Sequence, residues 1–329
     1  MNKNILVVAE HFRGHLSDIT FELLGKGREL AQALGGKLAL VLMGHEIASF
    51  VSEVGAADVV YLADRPDLRE FIPGSYAAVV RFAVGQASPR LVMLGSTSVG
   101  LDLLSFLSAQ LNVPCLDNCT RLEAREAKLV AISQIYGGKL YAEAILPGET
   151  GLVAVVPGMF PTEVGKLSGQ PEIQRFPYVG ALPEPRMTFR KLIEPPAGDV
   201  DITKVPLLVA VGRGIQSADN LPLAEALAQA LGGAVCGSRP VIDQGWLPLT
   251  RQVGKSGMTV KPKLYLALGI SGAPEHQEGM KGAELIIAIN TDPRAPIFNV
   301  AHFGAVADVF DVIPALTEEI QRRQSPRAA

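Results

Sequence analysis

The sequence predicts an α/β protein of two domains, each built on a mainly parallel sheet with helices on both faces. Three observations carry this. Short, continuously apolar runs alternate with stretches of helical periodicity from the first residues onward, the pattern of strands buried on both faces and joined by crossover helices. The alternation is interrupted once by a proline-rich stretch and then restarts. A chain of 329 residues, 48% hydrophobic and 19% charged, is long and apolar enough for two separate cores.

Residues 5–9 read as the first strand. Ser17 stands where a helix cap belongs, and Phe21, Leu24, Leu30 and Leu34 recur at helical spacing until Gly35 and Gly36 stop the helix. Residues 37–43 return as a strand, and apolar runs at 59–62, 77–80 and 91–94 continue the alternation. After Cys115 the texture changes: 120–132, 138–145 and 152–156 read as consecutive strands joined by polar or glycine turns, an antiparallel addition to the first sheet. Five prolines and little periodicity between Phe176 and Lys204 mark a linker, and the strand–helix pattern restarts at 205–211. The expected organisation is an N-terminal α/β domain over 1–195, a linker over 196–204 and a doubly wound, Rossmann-like domain over 205–329.

Composition excludes several classes of function. A net charge of -3 without a long Lys/Arg run leaves no electrostatic footprint for nucleic acid or an anionic membrane surface. Mean hydropathy is high at +0.25. Yet no uncharged apolar stretch reaches the roughly eighteen residues that a membrane span needs, so no membrane insertion is expected. The first apolar run is too short for a signal peptide and reads as a strand. Cys115, Cys119 and Cys236 cannot all pair, and no histidine stands near Cys115 and Cys119 to complete a zinc site. They read as thiols in a reducing, cytoplasmic setting, with no metal. With five histidines and one tryptophan, side chains alone are a thin supply for catalysis.

The glycine and polar turns of the second half carry the chemistry. Gly212-Arg213-Gly214 follows the strand at 205–211, a turn type in which backbone N–H groups can approach a phosphate. Without a third glycine it reads equally well as a tight turn bearing a solvated arginine. Ser238-Arg239 with Asp243, Gly245 and Trp246 comes next, then Gln252-Val253-Gly254-Lys255-Ser256-Gly257, then Gly269-Ile270-Ser271-Gly272-Ala273 with His276, Gly279 and Met280. Ala288-Ile289-Asn290 with Asp292, Ala295, Pro296, Ile297 and Phe298 follows, and Asp308 and Phe310 close the series. In kind and order this series resembles the FAD domain of the alpha subunit of electron-transfer flavoproteins. The first half resembles the same subunit more loosely, through Val8-Ala9-Glu10-His11 and Ile135-Tyr136-Gly137-Gly138.

The resemblance implies FAD lying in an extended pose across the second domain. By resemblance Arg213, Asn290, Asp308 and Val309 line its diphosphate and AMP half, and Ser238 and Arg239 stand beside the isoalloxazine ring. Val253, Gly254, Lys255 and Ser256 form a wall whose hydroxyl approaches flavin N5. Ser271, Gly272 and Ala273 turn under the ribityl chain, and His276 points at the C2 carbonyl. Lys255, Pro274 and Glu275 stand where the family usually has Gln, Ile and Gln. An ionised Glu275 there would oppose reduction of the ring unless it pairs with Lys255 or Arg239 or turns to solvent.

The implied function is an FAD-containing electron carrier, with no catalytic residue and no substrate turnover of its own. It would take electrons from flavin-dependent dehydrogenases such as acyl-CoA dehydrogenases of fatty acid oxidation and pass them to a quinone-linked oxidoreductase. The first domain would dock a beta subunit in a heterodimer. An electron-bifurcating, NADH-linked alpha subunit of the nitrogen-fixation type is the alternative within the family. An NAD-dependent Rossmann enzyme, in which only His276 or Glu275 could handle a proton, is the alternative outside it. In the first domain, His11, Arg13, Gly14 and His15 could form a nucleotide site but read better as a surface loop or partner contact, and Gly95–Gly100 reads as a strand-to-helix cap.

Overall fold

A computed structural model describes residues 2–324 apart from 127, 137, 147, 168, 177–181, 183–186 and 193–199. The chain divides into two compact units, Met1–Lys191 and Leu192–Ala329. The first four residues of the expected linker, 196–199, lie outside the described residues.

The strands of the first unit are β1 (Asn4–Val8), β2 (Leu38–Gly44), β3 (Val59–Asp64), β4 (Pro89–Gly95), β5 (Cys115–Arg125), β6 (Lys128–Ile135), β7 (Leu140–Ile145), β8 (Gly151–Val155) and β9 (Glu172–Arg175). They form one sheet in the order β9-β3-β2-β1-β4-β8-β5-β6-β7. Helices α1 (Asp18–Leu34), α2 (Pro73–Ala87) and α3 (Ser98–Leu111) cover it. The period-2 geometry of β1 shows how: Ile5 and Val7 pack with the α1 side chains Leu23, Leu24 and Leu30. Leu6 and Val8 face the other way, onto Val80 of α2 and Leu103 and Leu107 of α3. Both faces are therefore core, which is why the strands are apolar without alternation.

Three expected elements take a different form. The apolar run at 77–80 belongs to α2, not to a strand: α2 is buried by both the sheet and α3, so its apolar surface is wider than one helical stripe. The stretch 120–132 is two strands, β5 and β6, separated by a turn at Glu126, whose φ of +49° is in the left-handed region. The antiparallel addition consists of β5, β6 and β7. Strand β8 instead returns to the middle of the sheet and runs parallel to both neighbours, β4 and β5. Ser17 occupies the N-cap position of α1 but its side chain makes no capping bond, while Gly35 ends the helix at φ +65° as expected.

The second unit is a five-stranded, all-parallel sheet of β10 (Leu207–Val211), β11 (Ala234–Gly237), β12 (Leu264–Leu268), β13 (Leu285–Asn290) and β14 (Phe303–Val306). The order is β11-β10-β12-β13-β14. Helices α4 (Leu221–Leu231) and α7 (Val309–Gln324) pack on Val209 and Val211, while Leu208 and Ala210 face Met280 of α6 (Pro274–Met280). The short α5 (Arg239–Asp243) follows β11. The chain leaves β10 toward one side of the sheet and later crosses to the other, so the strand order reverses between β10 and β12. Ligands of doubly wound sheets bind outside the carboxyl ends of the strands at such a point.

Candidate functional site

Every candidate residue of the second unit falls at the carboxyl edge of its sheet. Arg213 follows β10, Ser238 and Arg239 follow β11, and Ser271 to His276 follow β12. Asn290 ends β13, and Asp308 and Val309 begin α7 after β14. Backbone bonds stitch these loops side by side. Ser238 N donates to Val211 O at 3.0 Å, Gly212 N to Leu268 O at 2.9 Å, and Ala307 N to Asn290 O at 3.2 Å. At the reversal point Gly212 lies so close to Gly269 O that no side chain fits between them. Helix α7 packs against the turn that carries Arg213.

The wall at 252–258 is built on α6. Val253 N donates to Gly237 O at 2.9 Å, extending the edge of β11, and Lys255 N donates to Glu275 O at 2.7 Å. Gly254 has φ +141° and a Cβ there would stand 3.0 Å from Glu275 O, so only glycine passes easily. Gln252 Nε2 donates to Ser256 Oγ at 3.0 Å, which leaves the exposed hydroxyl its own proton to donate. At the turn of residues 271–273, Gln277 Nε2 donates to Gly272 O at 2.7 Å. Asn290 Nδ2 reaches Ile270 O at 2.9 Å, and Asp308 caps α7 by accepting from Phe310 N at 3.0 Å.

The charges around the edge are largely outward. Arg213, Arg239, Lys255 and Glu275 are exposed. Arg239 Nε lies 3.3 Å from Asp243 Oδ2 and Lys255 Nζ lies 3.9 Å from Glu278 Oε2. Of the three arrangements open to Glu275, the structure adopts the outward one. Pro274 is the first residue of α6, where a missing N–H costs nothing.

His276 is the exception to this outward arrangement. It is 6% exposed, with Nδ1 3.1 Å from Val253 O and Nε2 3.0 Å from Tyr265 OH. Burial pushes its pKa down to about 4, against a smaller opposing effect of the Val253 carbonyl, so the ring is neutral near pH 7. Both ring nitrogens are engaged inside the protein. The arrangement shows no imidazole N–H directed outward at a ligand edge.

Tyr265 takes part in the site without having been singled out in the sequence, and Gln252, which opens one of the motifs, had been given no role. The signal for Tyr265 is a hydroxyl-bearing ring in the otherwise aliphatic run 264–268, fully buried and therefore in need of a polar partner.

The residues present fit an extended dinucleotide such as FAD. The edge offers cations at Arg213, Arg239 and Lys255, hydroxyls at Ser256 and Ser271, and loops drawn tightly together at Gly212 and Gly254, where the neighbouring backbone leaves no room for a Cβ. Among the described residues no group of three or more His, Cys, Asp or Glu could hold a metal ion, and no helix is long and apolar enough to cross a membrane.

In the first unit, His11 and Phe12 pair with Leu16 and His15 in a two-residue hairpin turned by Arg13 and Gly14, and His11 Nε2 lies 2.9 Å from Met43 O. Thr97 caps α3 by accepting from Gly100 N at 3.0 Å and donates to the Glu10 carboxylate at 2.8 Å. The Glu10 carboxylate thus lies against the cap of α3. Burial raises the Glu10 pKa, with the Thr97 and Gly95 bonds pulling the other way.

Comparison with known proteins gives the same reading for both units. Residues 5–179 match the electron transfer flavoprotein domain, and residues 201–281 match the electron transfer flavoprotein FAD-binding domain. The chain is 36% identical over 319 residues to protein FixB of Clostridium saccharobutylicum, covering 95% of each chain. It is 35% identical to the electron transfer flavoprotein subunit alpha of Megasphaera elsdenii, over 98% of this chain and 97% of that one. It is also 34% identical to the lactate dehydrogenase (NAD(+),ferredoxin) subunit LctC of Acetobacterium woodii, over 97% of this chain and 77% of that one.

Proposed function

The chain belongs to the electron transfer flavoprotein family, on the alpha-subunit side, and from that premise we propose that it carries electrons on FAD between flavin-dependent dehydrogenases and a quinone-linked oxidoreductase. The family match answers the choice between FAD and NAD in favour of FAD. When bound, FAD supplies the chemistry, the acceptance and release of electrons. The chain's own residues bind and orient it. In this reading Arg213, Asn290, Asp308 and Val309 hold the diphosphate and AMP half, and Ser271, Gly272 and Ala273 support the ribityl chain. Ser238, Arg239 and the wall from Val253 to Ser256 line the ring, with Arg239 favouring its electron-rich form by charge. The exposed Glu275 opposes that form only through solvent, where a charge acts weakly.

The observation that carries the proposal is the coincidence of the FAD-binding match with a strip of cations, hydroxyls and glycines along the carboxyl edge of a parallel sheet. The first unit docks a beta subunit in this reading, and the exposed apolar side chains Ile135, Leu140, Tyr141 and Ile145 of β6 and β7 support that role.

A second reading has its own support. Two of the similar proteins are a FixB and a subunit of an NAD(+),ferredoxin lactate dehydrogenase, which favours an electron-bifurcating assembly with a second flavin in the partner. Purification with the partner followed by extraction of the cofactor tests both. One FAD per complex is expected of the simple carrier and two of the bifurcating form. Purified complex without the ~450 nm flavin absorption expected of the cofactor would sink the proposal.

A further inference from the structure

Three consecutive residues of α6 reach different loops of the carboxyl edge. Glu275 O accepts from Lys255 N at 2.7 Å and His276 Nδ1 lies 3.1 Å from Val253 O, which ties the helix to the wall at 252–258. Gln277 stands about 100° further round the helix and serves another side. Its Nε2 donates to Gly272 O at 2.7 Å and to Pro296 O at 3.2 Å. The two acceptors belong to different connections, Gly272 to the turn after β12 and Pro296 to the loop after β13. Both are backbone carbonyls, which only accept, so the amide stands with its NH2 end between them and uses both of its protons. A flipped amide would bring a third acceptor oxygen to the other two. The segments touch so closely that a Cβ on Gly272 would collide with Ile297 N. A second tie between them, Ile297 N to Ser271 O at 3.0 Å, holds the peptide before Gly272 and supplies no donor to the Gly272 or Pro296 carbonyl.

We propose that Gln277 is a positioning residue: its amide supplies the two donors on which the Gly272 and Pro296 carbonyls converge, and so holds the 271–273 turn of the FAD site against the loop at 295–297. The inference rests on the reading of that turn as a lining of FAD. Without the amide, two acceptors face one another across a half-buried seam with no donor between them, and they part or take up solvent. The turn then keeps its Ser271 tie and loses the one at Gly272. A lining that is not held in advance has to be ordered when the ligand binds, which weakens binding. The helix that frames the wall through Glu275 and His276 frames the turn through Gln277, so one short element sets the spacing between the two linings.

FAD affinity of the purified complex, followed by flavin fluorescence on dilution at about pH 8 and about pH 5, is the test. Gln277→Glu keeps the shape of the side chain and, when ionised, replaces the donor by an acceptor; when protonated it has one donor to return. It is expected to hold FAD about tenfold more weakly at the higher pH and to recover to within about threefold of wild type at the lower. Gln277→Met, of similar length with no donor, is expected to hold FAD about fivefold more weakly at both. Wild type and Gln277→Met share every other group that titrates between these values, Glu275, Glu278, Asp292 and His276 included, so a recovery confined to Gln277→Glu belongs to position 277. A merely structural loss would not be reversed by protonation. Wild-type affinity in Gln277→Met, or a Gln277→Glu affinity that is the same at both pH values, overturns the proposal. If Gln277→Glu does not fold, Gln277→Met decides by its affinity alone. A wild-type complex that binds no FAD would defeat the functional reading and the inference with it, whereas variants that bind FAD as tightly as a competent wild type defeat the inference alone.

Discussion

At the scale of single residues, His276 has a consequence that a surface histidine would not. Its folded pKa of about 4 lies below the ordinary 6.5, so between those values the unfolded chain binds a proton that the folded chain does not. Stability is therefore fully present above pH 6.5 and is lost as the pH falls toward 4, by about 3 kcal/mol in all. Denaturant unfolding of the second unit at pH 7 and pH 5 should show this slope, and His276→Gln should remove it; a slope unchanged in the variant would contradict the burial argument. The residue itself was legible from its motif, but its direction was not. Whether an imidazole faces a ligand or the core depends on Tyr265 and Val253, eleven and twenty-three positions away. Nothing in the local sequence joins them. Glu275 shows the converse: its arrangements could be enumerated from the sequence, and the fold selected among them.

At the scale of elements, two loops can be weighed. Thr97 holds α3 by its cap and is itself held by Glu10, so Thr97→Ala should cost the first unit about 1 kcal/mol, read as a lowered denaturant midpoint. At Gly254 an alanine would meet both an unfavourable φ and the Glu275 carbonyl. Gly254→Ala should destabilise the second unit by about 1–3 kcal/mol and shed flavin on gel filtration where wild type keeps it. The stop of α1 was readable because it depends on one residue, Gly35, whereas Ser17 at its start makes no capping bond. The run at 77–80 misled because four consecutive apolar residues serve equally in a strand and in a helix buried on two sides. The place of β8 in the sheet was not readable at all: its apolar composition announces a buried strand and says nothing of its neighbours.

For the whole molecule, the division of labour between two units is the functional claim, and it makes a separable prediction. Tyr141 and Ile145 lie on one face of β7, the last strand of the first sheet, 61% and 64% exposed. A Tyr141→Lys, Ile145→Lys double variant should keep the circular dichroism of the wild type and fail to co-purify with a beta subunit; retained co-purification would place docking elsewhere. The position of β8 bears on how the chain is made. It enters between β4 and β5 only after the intervening hairpins have been synthesised, and β9 reaches the far edge later still. On the ribosome, then, the first hundred or so residues emerge with a gap where the centre of the sheet will be. A nascent chain stalled before residue 155 would expose the unpaired side of β4, an open template for pairing with another chain, so synthesis speed through this stretch bears directly on the yield of native protein.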